Sequence, residues 1–276
     1  MLGLARETTP MDAETARFWV LAPAAVGQVI DCLEALTRLE QYGPEGMLRG
    51  RSAHREQGLI PLSIRERLDT MQGAATLKVA ELCGAALVLT GRHSRNRQVA
   101  GAALMFAASW LGELRNAHGR DGSDQMSSLI AGYRVLTAAI PDTRASDDLF
   151  LRAVNAQTAL SYAASGLAKL ISSTWLSGDA LDQVLRTRLY GESLPARFLK
   201  DHRSLGRLGN WATIAWESAY PLVYLTGPRT SRAALLAVKG FHLGIAATMG
   251  LPRFFWGFSS AHAAAQYVID SKGQSR

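Results

Sequence analysis

Residues 153–168 run without an Asp, Glu, Lys or Arg, and 98–112 and 254–269 do the same. Ala, Leu and Gly dominate these runs and strict two-residue alternation is absent, which argues for helices rather than strands. Segments of this type predict helices near 15–39, 73–91, 97–115, 125–140, 148–172, 209–227, 231–250 and 254–270. Pro23 and Pro221 fall inside two of them, so kinks are expected there. The polar, Arg-rich stretches 40–72 and 176–208 separate the rest, each able to carry a short surface helix, with 180–185 as one candidate.

A helix that crosses a bilayer needs about 20 mostly apolar residues. The uncharged runs are shorter, and a mean hydropathy of +0.02 fits a soluble helical protein as well as a membrane protein with polar loops. Several helices are nevertheless apolar nearly all round, which suits a buried or lipid-facing setting. Trp19, Trp110, Trp175, Trp211, Tyr224 and Tyr267 stand near helix ends, where interfacial anchors belong. The expectation is an all-α fold, a polytopic integral membrane bundle of about seven to eight helices. It comprises a membrane domain over 15–270 between tails 1–14 and 271–276. A soluble α-helical protein is the alternative. The first dozen residues lack a signal-peptide pattern.

The excess of 30 Lys+Arg over 23 Asp+Glu does not mark a nucleic-acid partner. Lys supplies five scattered cations, and the arginines are spread through the polar connections rather than massed on one stripe. Two cysteines, Cys32 and Cys83, cannot build a disulfide framework or a four-thiolate zinc site. No Gly-rich phosphate loop, paired-His zinc helix or strand-borne nucleophile elbow is present, and the His spacing forms no metal triad.

Chemistry concentrates in three places. Gln157, Ser161, Ser165 and Lys169 recur every four residues and form one polar row on an otherwise apolar helix. Small residues at 163, 164, 166 and 168 permit a close helix neighbour. Lys169 then either snorkels to an interface or meets water or a partner. Desolvation favours the neutral amine, the form that serves as a general base. In the turn 114–125, Asn116, His118 and the two aspartates can orient a substrate or shuttle a proton. The bland reading is an Asp/Gly turn that caps the next helix through Ser123 or Asp124. His242 lies in an apolar helix one turn after Lys239, where a lone histidine is more often a satisfied core residue than a catalyst. Glu217 reads as a buried carboxylate in a structural ion pair, with Lys239 or Arg152 as its partner.

At these residues the sequence resembles the membrane domain of vitamin K-dependent gamma-carboxylase and its bacterial relatives, the HTTM (horizontally transferred transmembrane) family. The resemblance runs from Gln157 through Tyr162, Gly166-Leu167-Ala168-Lys169-Leu170 and Trp175 to Gly178. It extends to Arg17-Phe18-Trp19, Tyr42-Gly43-Pro44-Glu45-Gly46, Asn116-Ala117-His118 and Phe241-His242, and so covers roughly 15–260. It implies a reaction in which a reduced quinol reacts with O2 to form an epoxide. The strong base so produced removes a proton from the γ-carbon of a Glu, and CO2 adds there, a carboxylase or lyase activity. Lys169 matches the family's essential lysine, the base for the hydroquinone. His118 and His242 match its functional histidines, and Asn116, Gln157, Ser161, Ser165, Tyr162 and Trp175 are the substrate- or cofactor-binding candidates. The implied cofactor is reduced vitamin K or a menaquinone-type quinol, in a bacterial cytoplasmic membrane. The implied partners are lipid, the quinone and a small peptide or acidic substrate. The eukaryotic enzymes continue into a lumenal region that grips the substrate's propeptide, whereas this sequence ends at Arg276. A competing reading is a non-catalytic membrane factor for maturation or export of a small secreted peptide.

Overall fold

The computed structural model describes residues 11–49, 61–115 and 120–274, without the side chains of 272–274. Among the described residues the regular structure is helical throughout. It comprises α1 (Ala13–Leu36), α2 (Leu62–Leu68), α3 (Met71–Thr90), α4 (Arg95–Arg115), α5 (Gly122–Thr137) and α6 (Thr143–Leu170). There follow α7 (Ser173–Leu176), α8 (Ala180–Leu185), α9 (Leu194–Asp201), α10 (Arg203–Ala219), α11 (Pro228–Met249) and α12 (Pro252–Gln274).

The eight long helices stand where the apolar runs place them and α8 fills the expected 180–185, while α2, α7, α8 and α9 bring the total among the described residues to twelve, above the expected seven to eight. These four occupy the polar stretches and the turn after α6, and are too short to show a sustained 3.6-residue pattern. Pro221 corrects another expectation. It ends α10 instead of kinking a longer helix, and the chain passes into a 3-10 turn at Tyr220–Tyr224. Pro23, by contrast, lies inside an unbroken α1.

Caps account for the starts. Asp12 accepts from the Thr15 amide at 2.9 Å to begin α1, and Asp142 accepts from Arg144 at 2.8 Å to begin α6. In the turn before α5 the cap is Asp121, not Ser123 or Asp124. Its carboxylate accepts from the Ser123 amide at 2.8 Å, while Asp124 completes the box by accepting from the Asp121 amide at 2.9 Å. Gly250 takes a left-handed conformation (φ 68°) that ends α11, and Pro252 opens α12 two residues later. That tight turn makes α11 and α12 an antiparallel hairpin, so residues equally far from Gly250 on the two helices come level with one another.

α1 packs on α12 and α3, α3 on α4, and α12 also lies against α6 and α11, while α10 crosses α6. Val20, Leu21, Val88, Met105, Ile130, Phe150 and Leu151 fill the larger apolar core. A second core gathers Tyr162, Tyr220, Val223, Leu235, Val238 and Ile269 around α11 and α12. Among the described residues two helices, α1 and α3, are long and apolar enough to cross a membrane, and half of α1's apolar window is buried in the bundle.

Charge is also buried in the larger core. Arg134 is fully buried and Arg17 nearly so, and both donate to Asp147, Arg134 at 3.1 Å. One carboxylate thus holds α1, α5 and α6 together. Asp147→Ala leaves the Arg134 guanidinium without its carboxylate partner and Arg17 with only Glu14 at 3.8 Å, a change that costs about 3–5 kcal/mol when a buried pair is broken. Thermal unfolding followed by circular dichroism should show that loss. A variant as stable as the parent would mean that the arginines are solvated.

Candidate functional site

Four-residue spacing on α6 places Gln157, Ser161, Ser165 and Lys169 along one wall of a cavity of about 830 Å³. α5, α10, α11 and α12 supply the facing walls, and Trp175, Leu181 and Leu199 border it from α7–α9. Most of the surface is apolar, with Phe241, Phe254 and Phe258 prominent, so the polar row stands out chemically.

Hydrogen bonds link the row in two pairs, Gln157 with Ser161 and Ser165 with Lys169. Tyr133 donates its hydroxyl to Gln157 Oε1 at 3.1 Å, and Gln157 Nε2 donates to Ser161 Oγ at 3.1 Å. Lys169 Nζ donates to Ser165 Oγ at 2.6 Å and to Glu217 Oε2 at 2.5 Å, and lies 4.9 Å from the centroid of the Trp175 ring. Both members of the ion pair are largely buried, with side chains 14% and 11% exposed. Their meeting depends on Gly166. A Cβ there would come within 2.6 Å of the Ser218 nitrogen and 2.9 Å of the Glu217 carbonyl carbon, so α6 and α10 are in backbone contact one turn from Lys169.

On the same helix, Tyr162 is buried with its hydroxyl 2.6 Å from His242 Nε2 and 3.0 Å from His262 Nε2. Tyr220 stacks on the Tyr162 ring at 4.3 Å, and Phe258 stacks on His242 at 4.7 Å. The Nδ1 atoms of both histidines are buried without a hydrogen-bond partner among the described residues.

The structure therefore gathers Gln157, Ser161, Tyr162, Ser165, Lys169, Trp175 and His242 around one space. Asn116 and His118 lie outside the described residues. Arg17 and Tyr42 lie elsewhere, Arg17 on Asp147 and Tyr42 beneath the Arg115 guanidinium at 4.8 Å. Glu217 corrects the sequence reading, since its partner is Lys169 and not Lys239 or Arg152. Arg152 pairs instead with Asp148 one turn before it, at 2.8 Å. Which helix faces α6 is a tertiary choice, and the spacing within α10 carries no record of it.

His262 is the residue that sequence reasoning missed. Its signal is a histidine among residues 259–265, otherwise only Ser and Ala, where an imidazole has few local partners.

A second polar cluster lies near one end of α1. Asp31, Cys32 and Glu81 bring ligand atoms within 4.8 Å of one another. Lys78 already donates to Asp31 at 2.7 Å and to Glu81 at 2.8 Å, and Arg253 donates to Asp31 as well. The carboxylates are thus neutralised by side chains, which removes the charge that would draw a metal ion. In the turn between α7 and α8, Asp179 is held below the usual carboxylate range by the Ser177 hydroxyl first and then by Arg203.

Compared with family models, curated proteins and solved structures, the chain matches none.

Gly166→Ala should force α6 and α10 apart and break the Lys169–Glu217 contact. Overpacking of this kind costs about 1–3 kcal/mol. A substitution two residues on, at exposed Ala168, should leave stability unchanged in the same denaturation experiment. Equal effects at the two positions would remove the special role of Gly166.

Proposed function

We propose that this chain is an integral membrane enzyme of the HTTM type, similar to the membrane domain of vitamin K-dependent gamma-carboxylase. In this reading it binds a reduced quinol in the cavity beside Lys169. The observation that carries the proposal is a buried ion pair and a buried Tyr–His pair on the walls of one largely apolar cavity. A volume of about 830 Å³ lies in the roughly 300–1,000 Å³ range of small-molecule sites. The aromatic walls suit a planar ring, and the unpartnered His242 Nδ1 suits a ring oxygen. Exposed leucines at 160 and 167 on α6 and at 243 on α11 flank the cavity and fit a lipid-facing surface. α1 and α3 are long and apolar enough to cross a membrane, and in this reading the remaining long helices complete the bundle around them.

When bound, the quinol would supply through its oxidation by O2 the strong base that removes a proton from a peptide or small acidic substrate, to which CO2 then adds. The chain's own part is to hold and move the first proton. With Lys169 donating to it, Glu217 is the member of the pair with free lone pairs and accepts the proton. The Lys169 ammonium steadies the carboxylate and the negative charge left on the ligand oxygen. Gln157 and Ser161 orient the ring, and the apolar walls keep bulk water away.

A second reading rests on the same contact. The Lys169–Glu217 pair beside Gly166 is also a strut between two helices, which a non-catalytic maturation or export factor would equally use.

One experiment tests the membrane assignment that both readings share, and a second separates them. Carbonate washing should leave the protein in the membrane pellet, and release into the supernatant would sink the membrane assignment. Purified protein in lipid nanodiscs should consume O2 when given reduced menaquinone. Glu217→Gln should lower that rate by about 100-fold or more, the usual size of a lost general base. Lys169→Arg, which keeps the cation, should retain more activity than Glu217→Gln. The reverse order would return the base to Lys169, and unchanged activity in both variants would favour the strut.

A further inference from the structure

Tyr162 carries one hydroxyl proton and faces two imidazole nitrogens, His242 Nε2 at 2.6 Å and His262 Nε2 at 3.0 Å. For both contacts to be hydrogen bonds the hydroxyl donates to one ring and accepts from the other. Hydroxyl donors sit closer to their acceptors than N–H donors do. The shorter contact is therefore Tyr162 donating to His242, and the longer one is His262 donating to the Tyr162 oxygen. The protons on the two rings follow. A neutral His242 that accepts at Nε2 carries its hydrogen on Nδ1, whereas His262 carries its hydrogen on Nε2. His242 Nδ1 is buried without a partner among the described residues, and His242 lines the cavity, whereas His262 does not. The α11–α12 turn at Gly250 is what sets the two rings 5.9 Å apart on facing helices.

We propose that His262 is a positioning residue. Acting through Tyr162, it holds His242 in the tautomer that offers an Nδ1–H donor to an acceptor oxygen, carbonyl or phenolate, of a ligand in the cavity. The proposal rests on the reading of the cavity as the site of an oxygen-bearing ring compound, and names the atom that recognises it. An acceptor oxygen gains from a donor whose direction is set in advance, because a ring free to exchange tautomers offers that donor only part of the time.

Imidazole nitrogen shifts of ¹⁵N-histidine-labelled protein test the tautomers, with signals assigned by their loss in His242→Phe and His262→Phe. His242 should show its proton on Nδ1 and His262 on Nε2. A proton on Nε2 of His242 overturns the proposal whatever the ligand. Menadione, a naphthoquinone with two carbonyl oxygens, serves as the binding probe. His262→Phe and Tyr162→Phe should each weaken menadione roughly tenfold, about the worth of one hydrogen bond. His262→Gln, whose amide can still donate to Tyr162, should restore most of the affinity. If His262→Phe binds as the parent does while His242→Phe does not, His262 has no positioning role. If the parent itself takes up no menadione, the quinone reading and the ligand half of this proposal fall together, and the nitrogen shifts still decide the tautomer.

Discussion

The backbone contact between α6 and α10 at Gly166 is the constraint on which the rest of the site depends. An ammonium cannot be moved out of water alone without a cost of several kcal/mol, so Lys169 needs a counter-charge within reach. Two helices separated by ordinary side chains lie about 8–10 Å apart, and only small residues at the crossing let them come closer. Glycine at 166 allows the closer approach, and Glu217, whose own backbone is part of that contact, meets Lys169 one turn along α6. The cavity is the counterpart of this contact. Beside the pinned crossing, Gly209, Ala212, Thr213 and Glu217 of α10 line a space shared with the row from Gln157 to Lys169.

The same principle recurs at two other places. Asp147 joins Arg17 and Arg134 in the larger core, and Asp31 joins Lys78 and Arg253 near the end of α1. In each case a single carboxylate ties together cations from different helices, so the polar contacts that satisfy buried charge also determine which helices are neighbours. Such ties are specific where apolar packing is not, because a guanidinium has far fewer acceptable positions than a leucine. The candidate site differs in that its polar groups border a space. Gln157, Ser161 and His242 keep hydrogen-bonding capacity beside the cavity, whereas Asp147 is enclosed by its partners.

How far the fold could be read from the chain varies with the length of the signal. α6 announces itself through an uncharged run over 153–168 and a polar residue every fourth position, and α11 through a comparable apolar run that ends at glycine. α7, with four residues, offers no periodicity to read, because one turn of helix shows neither a face nor a repeat, whereas α8 stands at 180–185, the candidate within its polar stretch. Pro221 was ambiguous for a different reason. A proline in an apolar run can bend a helix or end one, and the choice depends on whether neighbours replace the missing hydrogen bond. Within the site, Gln157, Ser161, Ser165 and Lys169 share a face by arithmetic alone, and the structure puts that face on the cavity. The partner of Glu217 and the place of His262 followed no such arithmetic.

By itself, then, the sequence determined that the chain is helical, where its long helices lie and which side chains of α6 stand in one row, because backbone propensity and the 3.6-residue repeat act over short distances. Only the tertiary structure decided that the row faces a cavity, that Lys169 meets Glu217 across 48 residues, and that Tyr162 stands between His242 and His262, 80 and 100 residues away. Those outcomes depend on which helices cross and how closely, a choice made by the packing of the whole bundle, which no local spacing encodes.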